Sequence, residues 1–423
     1  MKIPRHWQLL LAGVRLQPTS TDLHNIQKEL GASGVDWDSV VDRAFEHDIA
    51  PLMYRTLQGL PQTDHTKAAF ARLRSAYMGN AARNALLFRE LHVVLRALRE
   101  RRKDVIVLKG AALAETVYRD RALRPMSDVD LLVRKADLAE SEEILKSLGY
   151  GLSRAQERAR EWYSTNHYHF ALFKEVSPAL GVCLEIHWLL ERPRRFPIDT
   201  EGVWERAVAA RIGDVPAFVL CPEDLLLHLC LHTCKHRLTG GFRAFCDIAE
   251  VIREFGLQMN WMQVVSRASE WRINTFVAVP LHLTQRFLDA LVPEWVIEAM
   301  MPPGFDHRLL EAVAARVFED RLAGTLFQDF FLLRHGQSLG ERASVVQKVF
   351  SRAAIASRYG LSADSAGIFR YYPRRAKDLI IDYGAELWRF LMLGRQASQK
   401  AADRRRLGEW LKPFAEGTAE DDS

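Results

Sequence analysis

Two aspartates are separated by a single valine in DVDLLV, residues 128–133. The apolar residues of this segment predict a β-strand. Because side chains alternate between the two faces of a strand, Asp128 and Asp130 point to the same side. Neighbouring carboxylates repel each other when no cation pairs with them. Mg²⁺ favours carboxylate oxygens and keeps waters and substrate phosphates as its other ligands. The pair therefore predicts a divalent-metal site at the mouth of a sheet.

A third acidic side chain follows farther along the chain, where two strand-like runs flank the turn-rich link Ser-Pro-Ala-Leu-Gly. This pattern predicts a β-hairpin. In the second run, Leu184, Ile186 and Trp188 share one face of the strand. Glu185 and His187 share the other face. The alternation thus places Glu185 on the polar face of a further strand.

The residues before Asp128 contain the elements that must position these carboxylates. A buried-type strand, Val105 to Leu108, meets a turn at Gly110. An amphipathic helix and an Arg-Pro-Met loop then lead to the strand of the two aspartates. Leucines and valines at helical spacing predict a long helix from about Lys67 to Arg102, which delivers the chain to the first strand. That helix is expected to act as a scaffold.

Three motifs together identify a family resemblance. They are a Lys-Gly pair at a strand end, R-x-M-x-D-x-D-L-L-V over residues 124–133, and E-x-H-W on a hairpin. They resemble the nucleotidyltransferase superfamily that includes DNA polymerase β and the aminoglycoside nucleotidyltransferases, and are most similar to an uncharacterised bacterial branch of it. The resemblance implies an α+β fold. It implies a small mixed β-sheet of nucleotidyltransferase type with flanking helices. The residue patterns outside this segment predict that the sheet is embedded between N-terminal and C-terminal helical regions. Ala111 follows Gly110 where the superfamily pattern usually has Ser.

The resemblance also implies a reaction. A nucleotidyl group, with AMP from ATP as the expected case, is transferred to a hydroxyl of an unidentified small molecule or peptide. Two Mg²⁺ or Mn²⁺ ions about 3.5–4 Å apart would activate the hydroxyl and clamp the triphosphate. The implied catalytic residues and metal ligands are Asp128, Asp130 and Glu185. Asp130 would bridge the ions, and Glu185 would complete the acceptor-side ion and serve as base.

Residues that bind the nucleotide are implied in the same way. The turn after the first strand approaches the phosphates in the superfamily, so Gly110 would let the backbone come close. Lys109 and Arg124 are candidate cationic partners of the triphosphate. An exposed strand-end position for Lys109, and an ion pair between Arg124 and a site aspartate, remain open as alternatives. The complete nucleotide-binding set is Lys109, Gly110, Arg124, His187, His232 and His236.

A stripe of histidines is expected on a helix that begins at Pro222-Glu223-Asp224. His228, His232 and His236 recur every four residues, whereas Cys230 and Cys234 lie on another side, which is poor geometry for zinc. A zinc site and partly buried histidines with hydrogen-bond partners remain open. A substrate- or phosphate-facing role for His232, His236 and the nearby Lys235 is the third possibility. The similar bacterial branch carries an H-x-x-x-H segment and a later D-I-A, which match His232, His236 and Asp247.

Four regions are expected along the 423 residues. Residues 1–103 form an N-terminal helical region and 104–195 the catalytic sheet; 196–300 form a helical substrate-side domain, and 301–423 a C-terminal helical region with a disordered acidic tail. Within the first region, the dipeptide His47-Asp48 also occurs in metal phosphohydrolases. A surface or core position is the favoured interpretation of that dipeptide.

Composition narrows the class of protein. The formal net charge of +5 is mild, and no separate basic, aromatic-laced surface is evident, so a nucleic-acid partner is not expected. An odd count of five cysteines without framework spacing indicates a reducing cytoplasm. No apolar run approaches the length of a transmembrane helix. A basic C-terminal stretch has an apolar stripe at Leu379, Tyr383, Leu387 and Leu391, for which packing within the protein is favoured over peripheral membrane contact.

The sequence thus favours a cytoplasmic nucleotidyltransferase that uses a nucleoside triphosphate and an unknown hydroxyl acceptor. One alternative remains open. A protein that kept this fold without catalysis would serve as a binding module for an anionic partner. Metal-dependent nucleotide binding discriminates between the two.

Overall fold

The computed structural model describes residues 3–30, 34–152, 156–157, 160, 164, 167–177, 180–192, 195–235, 238, 241–318, 369–374, 377 and 406–411. The chain divides into two compact units, residues 1–310 with 413–423 and residues 311–412. The acidic tail and the predicted stripe at Leu379, Tyr383, Leu387 and Leu391 lie outside the described residues. The fourfold division into regions remains a prediction.

A mixed sheet of seven strands is the centre of the first unit, with the strand order β3-β4-β5-β2-β1-β7-β6. The strands are β1 Ile106–Val107, β2 Asp128–Leu132, β3 Gly151–Leu152, β4 His169–Ser177, β5 Leu180–His187, β6 Val208–Ile212 and β7 Val215–Val219. β1 is antiparallel to β2, whereas β2 is parallel to β5. β4 and β5 form the predicted antiparallel hairpin.

Helices precede, cover and follow this sheet. Those before it are α1 Arg5–Gly13, α2 Ser20–Leu30, α3 Trp37–Glu46, α4 Ala50–Leu57 and α5 Lys67–Glu100. Those between its strands are α6 Lys109–Leu113, which continues into a π-helical turn over Ala114–Tyr118, α7 Leu138–Ser147 and α8 Thr200–Glu205. Those after it are α9 Pro222–Lys235, α10 Arg243–Phe255, α11 Trp261–Glu270, α12 Asn274–Leu288, α13 Glu294–Met300 and α14 Arg308–Val317. The predicted α+β class, with a mixed sheet flanked by helices, is confirmed.

The two faces of the sheet differ in chemistry because the strands alternate. Val129, Leu131, Leu184 and Ile186 point to one side and join the main core cluster. The apolar stripe of α5 and the buried side of α7 belong to the same cluster. The opposite face of β2 and β5 carries Asp128, Asp130, Glu185 and His187, so the polar residues share one side.

Helix α5 also fixes the loop that leads into β2. Asn84, which is fully buried, donates from Nδ2 to the carbonyls of Arg121 and Arg124 at 2.5 and 2.9 Å. Arg83 donates to the carbonyls of Met126 and Ser127 at 2.9 and 3.1 Å. Because side chains of α5 satisfy these backbone acceptors, the predicted scaffold role extends beyond apolar packing.

Three strands were not foreseen, namely the two-residue β3, which pairs with β4, and the pair β6 and β7. β6 and β7 pair antiparallel to each other, and β7 adds to β1 in parallel, so the sheet continues past the segment 104–195. They fall within residues 196–300, where helices were expected. Among the described residues, none of the helices is long and apolar enough to cross a membrane.

Candidate active site

The carboxylates of Asp130 and Glu185 lie side by side because these residues are paired across the parallel strands β2 and β5. Asp130 is the partner of Glu185 across this pair, and Asp128 is the partner of Cys183. His187 joins the carboxylates: its Nε2 lies 3.1 Å from Asp130 Oδ1 and 3.2 Å from Glu185 Oε2. Asp130 and His187 are buried, whereas the Glu185 side chain keeps 22 % of its surface exposed. Glu185 therefore combines a carboxylate next to Asp130 with access to solvent.

Lys109 completes the cluster from the turn after β1. Its Nζ donates to Asp130 Oδ1 at 2.5 Å, and only 11 % of its side chain is exposed. Its backbone has φ +42°, a left-handed conformation that costs energy for a residue with a Cβ. The alternative of an exposed strand-end lysine is therefore wrong. The strained turn directs the ammonium at the carboxylates.

The charges of this cluster are strongly interdependent. Burial alone would raise the pKa of Asp130, but Lys109 and the hydrogen bond with His187 outweigh it and hold that pKa well below its usual range. Burial, and then the charges of Asp130 and Glu185, raise the pKa of Asp128. Burial would lower the pKa of Lys109, but Asp130 and then Glu185 raise it. The carboxylates thus require a cation, and in this structure an ammonium provides it.

The donor set fits a divalent cation. Ligand atoms of Asp130, Glu185 and His187 all lie within 4.8 Å of one another, the one such group of His, Cys, Asp or Glu side chains in the described part of the chain. Carboxylate oxygens suit Mg²⁺ and Mn²⁺. His187 Nδ1 is buried and has no hydrogen-bond partner among the described residues, whereas a metal-bound histidine usually donates its second N–H. The two carboxylates are therefore the better ligands, and His187 orients them.

Asp128 lies at the rim of the cluster. It is half-buried, and Ser127 Oγ donates to its Oδ1 at 3.1 Å. It does not belong to the group of three side chains within 4.8 Å. It shares the face of Asp130 along the strand, so it remains a candidate ligand from the open side.

Arg124 and Gly110 are placed by a buried ion pair. Arg124 donates from Nη2 to Asp247 Oδ2 at 2.9 Å, and Tyr118 donates its hydroxyl to Asp247 Oδ1 at 2.8 Å. A Cβ on Gly110 would lie 2.4 Å from Arg124 Nη1 and 2.9 Å from Met126 Sδ. The partner of Arg124 is thus an aspartate of α10, not a site aspartate, and Gly110 makes room for its guanidinium.

The histidine-bearing helix α9 approaches the same region. A small pocket is lined by Lys109, Tyr168, Leu190, Glu191, His228, Leu231, His232 and Lys235. Cys230 and Cys234 are buried, and within the described residues they form no metal-ligand group with the histidines of α9. His232 lines the pocket, and His236 lies outside the described residues. The dipeptide His47-Asp48 brings together no metal-ligand group within the described residues, and His47 is buried.

Several residues of this region were missed by sequence reasoning. His169 stacks on His187 at 5.0 Å between ring centroids, and burial, followed by the charges of His187 and Lys109, lowers its pKa to about 2. Tyr168, which was also missed, lines the pocket together with Lys235, for which a phosphate-facing role had been left open. The antiparallel hairpin could have identified His169, because it lies on the polar face opposite His187. No local sequence signal places Lys235 near Lys109.

The chain is similar in sequence to one protein family. No curated protein matches it significantly. One family model, described as an uncharacterised nucleotidyltransferase, matches residues 33–289. The match contains the sheet, the carboxylate cluster and helices α9 to α12, and it spans more than half of the 423 residues. The chain therefore belongs to this family of uncharacterised nucleotidyltransferases.

Proposed function

We propose that the protein transfers a nucleotidyl group from a nucleoside triphosphate, with ATP as the expected donor, to a hydroxyl of a small molecule or peptide. The observation that carries the proposal is the register of β2 and β5, which brings Asp130 beside Glu185 on one face of the sheet. Their carboxylates, the nearby Asp128 and the adjacent ammonium of Lys109 form a site for a divalent cation and a polyphosphate. The family match supports nucleotidyl transfer in general. Membership of the polymerase-β-like superfamily is part of this proposal.

The carboxylates would hold the cation, with Asp130 and Glu185 as the inner ligands and Asp128 from the rim. When bound, Mg²⁺ or Mn²⁺ lowers the pKa of an acceptor hydroxyl and neutralises charge on the triphosphate. Glu185 is the most accessible inner carboxylate, with 22 % of its side chain exposed, so it would accept the proton of the acceptor hydroxyl. His187 keeps both inner carboxylates in place through its contacts at 3.1 and 3.2 Å.

Cationic side chains would bind the leaving phosphates. Lys109 is next to Asp130 and lines the pocket, so its ammonium can contact a phosphate oxygen close to the carboxylates. His232 lines the same pocket and would contribute to nucleotide binding from α9. Arg124 is bound to Asp247, so we propose that it acts indirectly by fixing the loop before β2. Gly110 supports that arrangement by leaving space for the guanidinium.

The test is metal-dependent nucleotide binding. Thermal-shift assays would compare Mg²⁺ or Mn²⁺ alone, each nucleoside triphosphate alone, and both together. A ligand at one hundred times its Kd stabilises the folded state by about 2.7 kcal/mol, which is large enough to raise the melting temperature measurably. Because the metal and the nucleotide would bind each other in one site, the shift with both present should exceed the sum of the separate shifts. The double variant Asp128→Ala with Asp130→Ala should lose this synergy.

A matched double variant controls for the general loss of acidic charge. Asp38 and Asp42 pair with Arg72 on the surface, away from the sheet, so Asp38→Ala with Asp42→Ala should retain the synergy. If the wild type and the double variant of Asp128 and Asp130 respond alike, the proposed function is wrong. The non-catalytic alternative would then explain the fold, since a binding module needs no metal-dependent nucleotide site.

A further inference from the structure

We propose that the pocket beside Lys109 is a subsite for a phosphate-like oxyanion. This inference deepens the proposed function and rests on it. The residues that carry it are Lys109, Tyr168, Glu191, His228, His232 and Lys235, which meet between the end of β5 and the last turns of α9. Tyr168 was not predicted at this site, whereas a phosphate-facing role was left open for Lys235 and the histidine stripe.

Lys109 connects the pocket to the carboxylates. Its ammonium lies 2.5 Å from Asp130 Oδ1, and the same side chain lines the pocket. A group bound in the pocket is therefore adjacent to the proposed cation site. A terminal phosphate of a nucleoside triphosphate, or a phosphate on the acceptor, would have to bind this close to the cation site.

Lys235 supplies a second cation at the far wall. Its Nζ contacts the Tyr168 hydroxyl, lies 4.2 Å from the centroid of that ring, and is 3.5 Å from Glu191 Oε2. The 3.5 Å separation from Glu191 is long for a charge-assisted hydrogen bond. Burial, and then the charge of Lys109, lower the pKa of Lys235 to about 7. An anion between the two ammonium groups would relieve their repulsion.

His228 provides an unused hydrogen-bonding atom in the same wall. The residue is 4 % exposed, and its Nε2 is buried without a hydrogen-bond partner among the described residues. A buried polar atom without a partner is destabilising. An oxyanion in the pocket would accept a hydrogen bond from an N–H at this position, which gives the atom a partner.

The pocket has a volume of about 10 Å³, and six of its eight lining residues are polar. It therefore excludes a nucleobase, and a tetrahedral oxyanion would enter as the side chains of Lys235 and Tyr168 move apart. Two sources share this chemistry. One is the terminal phosphate of the nucleoside triphosphate, and the other is a phosphate group on the acceptor. Pyrophosphate and inorganic phosphate are probes for both.

Titration calorimetry of the full chain with pyrophosphate, without divalent cations, tests the subsite. The wild type should bind saturably, and Lys235→Met should weaken binding at least tenfold. Tyr168→Phe removes only a hydroxyl and should weaken binding a few-fold, which keeps the test valid if Lys235→Met fails to fold. Lys174→Met is the matched control because Lys174 is similarly half-buried, pairs with Glu90 at 2.7 Å and lies over the Tyr150 ring. It should bind pyrophosphate as the wild type does.

Two results would overturn the subsite: no saturable pyrophosphate binding by the wild type, or equal binding by wild type, Lys235→Met and Tyr168→Phe. The proposed function fails separately. Asp128→Ala with Asp130→Ala keeps every residue of the pocket, so it should retain pyrophosphate binding while it loses the metal–nucleotide synergy. Pyrophosphate binding that depends on Lys235 in a protein without that synergy would leave the subsite standing and refute nucleotidyl transfer.

Competition identifies the source of the oxyanion. If the terminal phosphate of the nucleotide occupies the pocket, ATP with Mg²⁺ should displace inorganic phosphate, whereas AMP should not. If the phosphate belongs to the acceptor, inorganic phosphate and ATP should bind together without competition. Both outcomes require that binding of inorganic phosphate depend on Lys235.

Discussion

The ammonium of Lys109 lies 2.5 Å from Asp130 Oδ1, so a side chain of the protein provides the cation that the carboxylate cluster requires. The contact forms because the turn after β1 holds Lys109 at φ +42°. A divalent cation bound to Asp130 would compete for the same carboxylate oxygen and would repel the ammonium. Lys109 is therefore both the internal counterion of the cluster and a competitor of the metal.

Replacement of Lys109 by Met tests this relationship. The variant should bind Mn²⁺ alone more tightly than the wild type, by several-fold or more, because the competing ammonium is absent. Without metal it should be less stable by about 3–5 kcal/mol, the range for a buried ion pair that loses one partner. Titration with Mn²⁺ followed by electron paramagnetic resonance measures the first effect, and urea unfolding measures the second.

Lys103 offers a control for the loss of a paired lysine. It binds Asp137 and Glu140 outside the cluster, and 16 % of its side chain is exposed. Lys103→Met should leave the affinity for Mn²⁺ unchanged. An unchanged affinity in Lys109→Met as well would show that the ammonium does not compete with the metal.

Gly110 should be sensitive to the smallest possible addition. In Gly110→Ala the new Cβ would lie 2.4 Å from Arg124 Nη1 and 2.9 Å from Met126 Sδ, which forces both side chains to move. Such overpacking costs about 1–3 kcal/mol of the unfolding free energy. Gly79→Ala is the control, because Gly79 lies within α5 with no atom within 4 Å of an added Cβ. It should be neutral or stabilising by up to about 1 kcal/mol.

Equal stability of Gly110→Ala and the wild type in urea unfolding would contradict this account. Gly110 would then matter only for the approach of a phosphate. In that case the substitution would reduce nucleotide affinity alone.

The pair of Arg124 and Asp247 should be essential for stability. Asp247→Asn leaves the buried guanidinium without its counterion and should cost about 3–5 kcal/mol. The double variant Arg124→Met with Asp247→Asn should recover part of that loss, because the guanidinium of Arg124 is then absent. The recovery is partial because Arg243, whose Nη1 lies 3.7 Å from Asp247 Oδ2, also loses this carboxylate. Chemical unfolding of the two single variants and the double variant gives the coupling energy. Additive effects would show that the ion pair does not act as a unit.

Local patterns predicted correctly on which faces of the strands the carboxylates lie. Alternation along a strand placed Asp128 with Asp130 and Glu185 with His187, because the side-chain period of a strand is fixed. The turn-rich link predicted the hairpin of β4 and β5, which the structure confirms. The sequence alone could not predict that β2 and β5 pair in parallel with Asp130 opposite Glu185. The resemblance to a known superfamily, not periodicity, suggested that contact.

Contacts between distant parts of the chain were not predictable. Asp247 lies 123 positions from Arg124, and the residues between them carry no signal of the pairing. β6 was missed because its sequence, VAARI, contains an arginine and most of its residues are exposed or half-buried. β7, VPAFV, is apolar throughout but only five residues long. Pro216 weakens the strand pattern further. The strained turn at Lys109 is likewise invisible in the sequence, because only tertiary structure maintains such a conformation.

His228 gives a prediction about pH. Burial, followed by the charges of Lys109 and His187, lowers its pKa to about 3, while Asp130 acts in the opposite sense. Between pH 3 and its ordinary value near 6.5, the unfolded chain binds a proton that the folded chain does not. The unfolding free energy therefore rises with pH across this window, by about 1.4 kcal/mol per pH unit for one group. The contribution is complete above pH 6.5 and is lost as the pH falls toward 3.

Urea unfolding at pH 5.0, 5.5 and 6.0 measures this dependence. His228→Leu should reduce the slope of unfolding free energy against pH by about 1.4 kcal/mol per pH unit, which corresponds to one proton, because the titrating imidazole is removed. Part of the slope should remain, since His169 has a pKa lowered to about 2 and acts in the same direction. His307→Leu replaces an exposed imidazole and controls for the substitution itself. A slope in His228→Leu equal to that of the wild type would mean that His228 is protonated in the folded protein, and that the wall of the pocket carries a positive charge at this position.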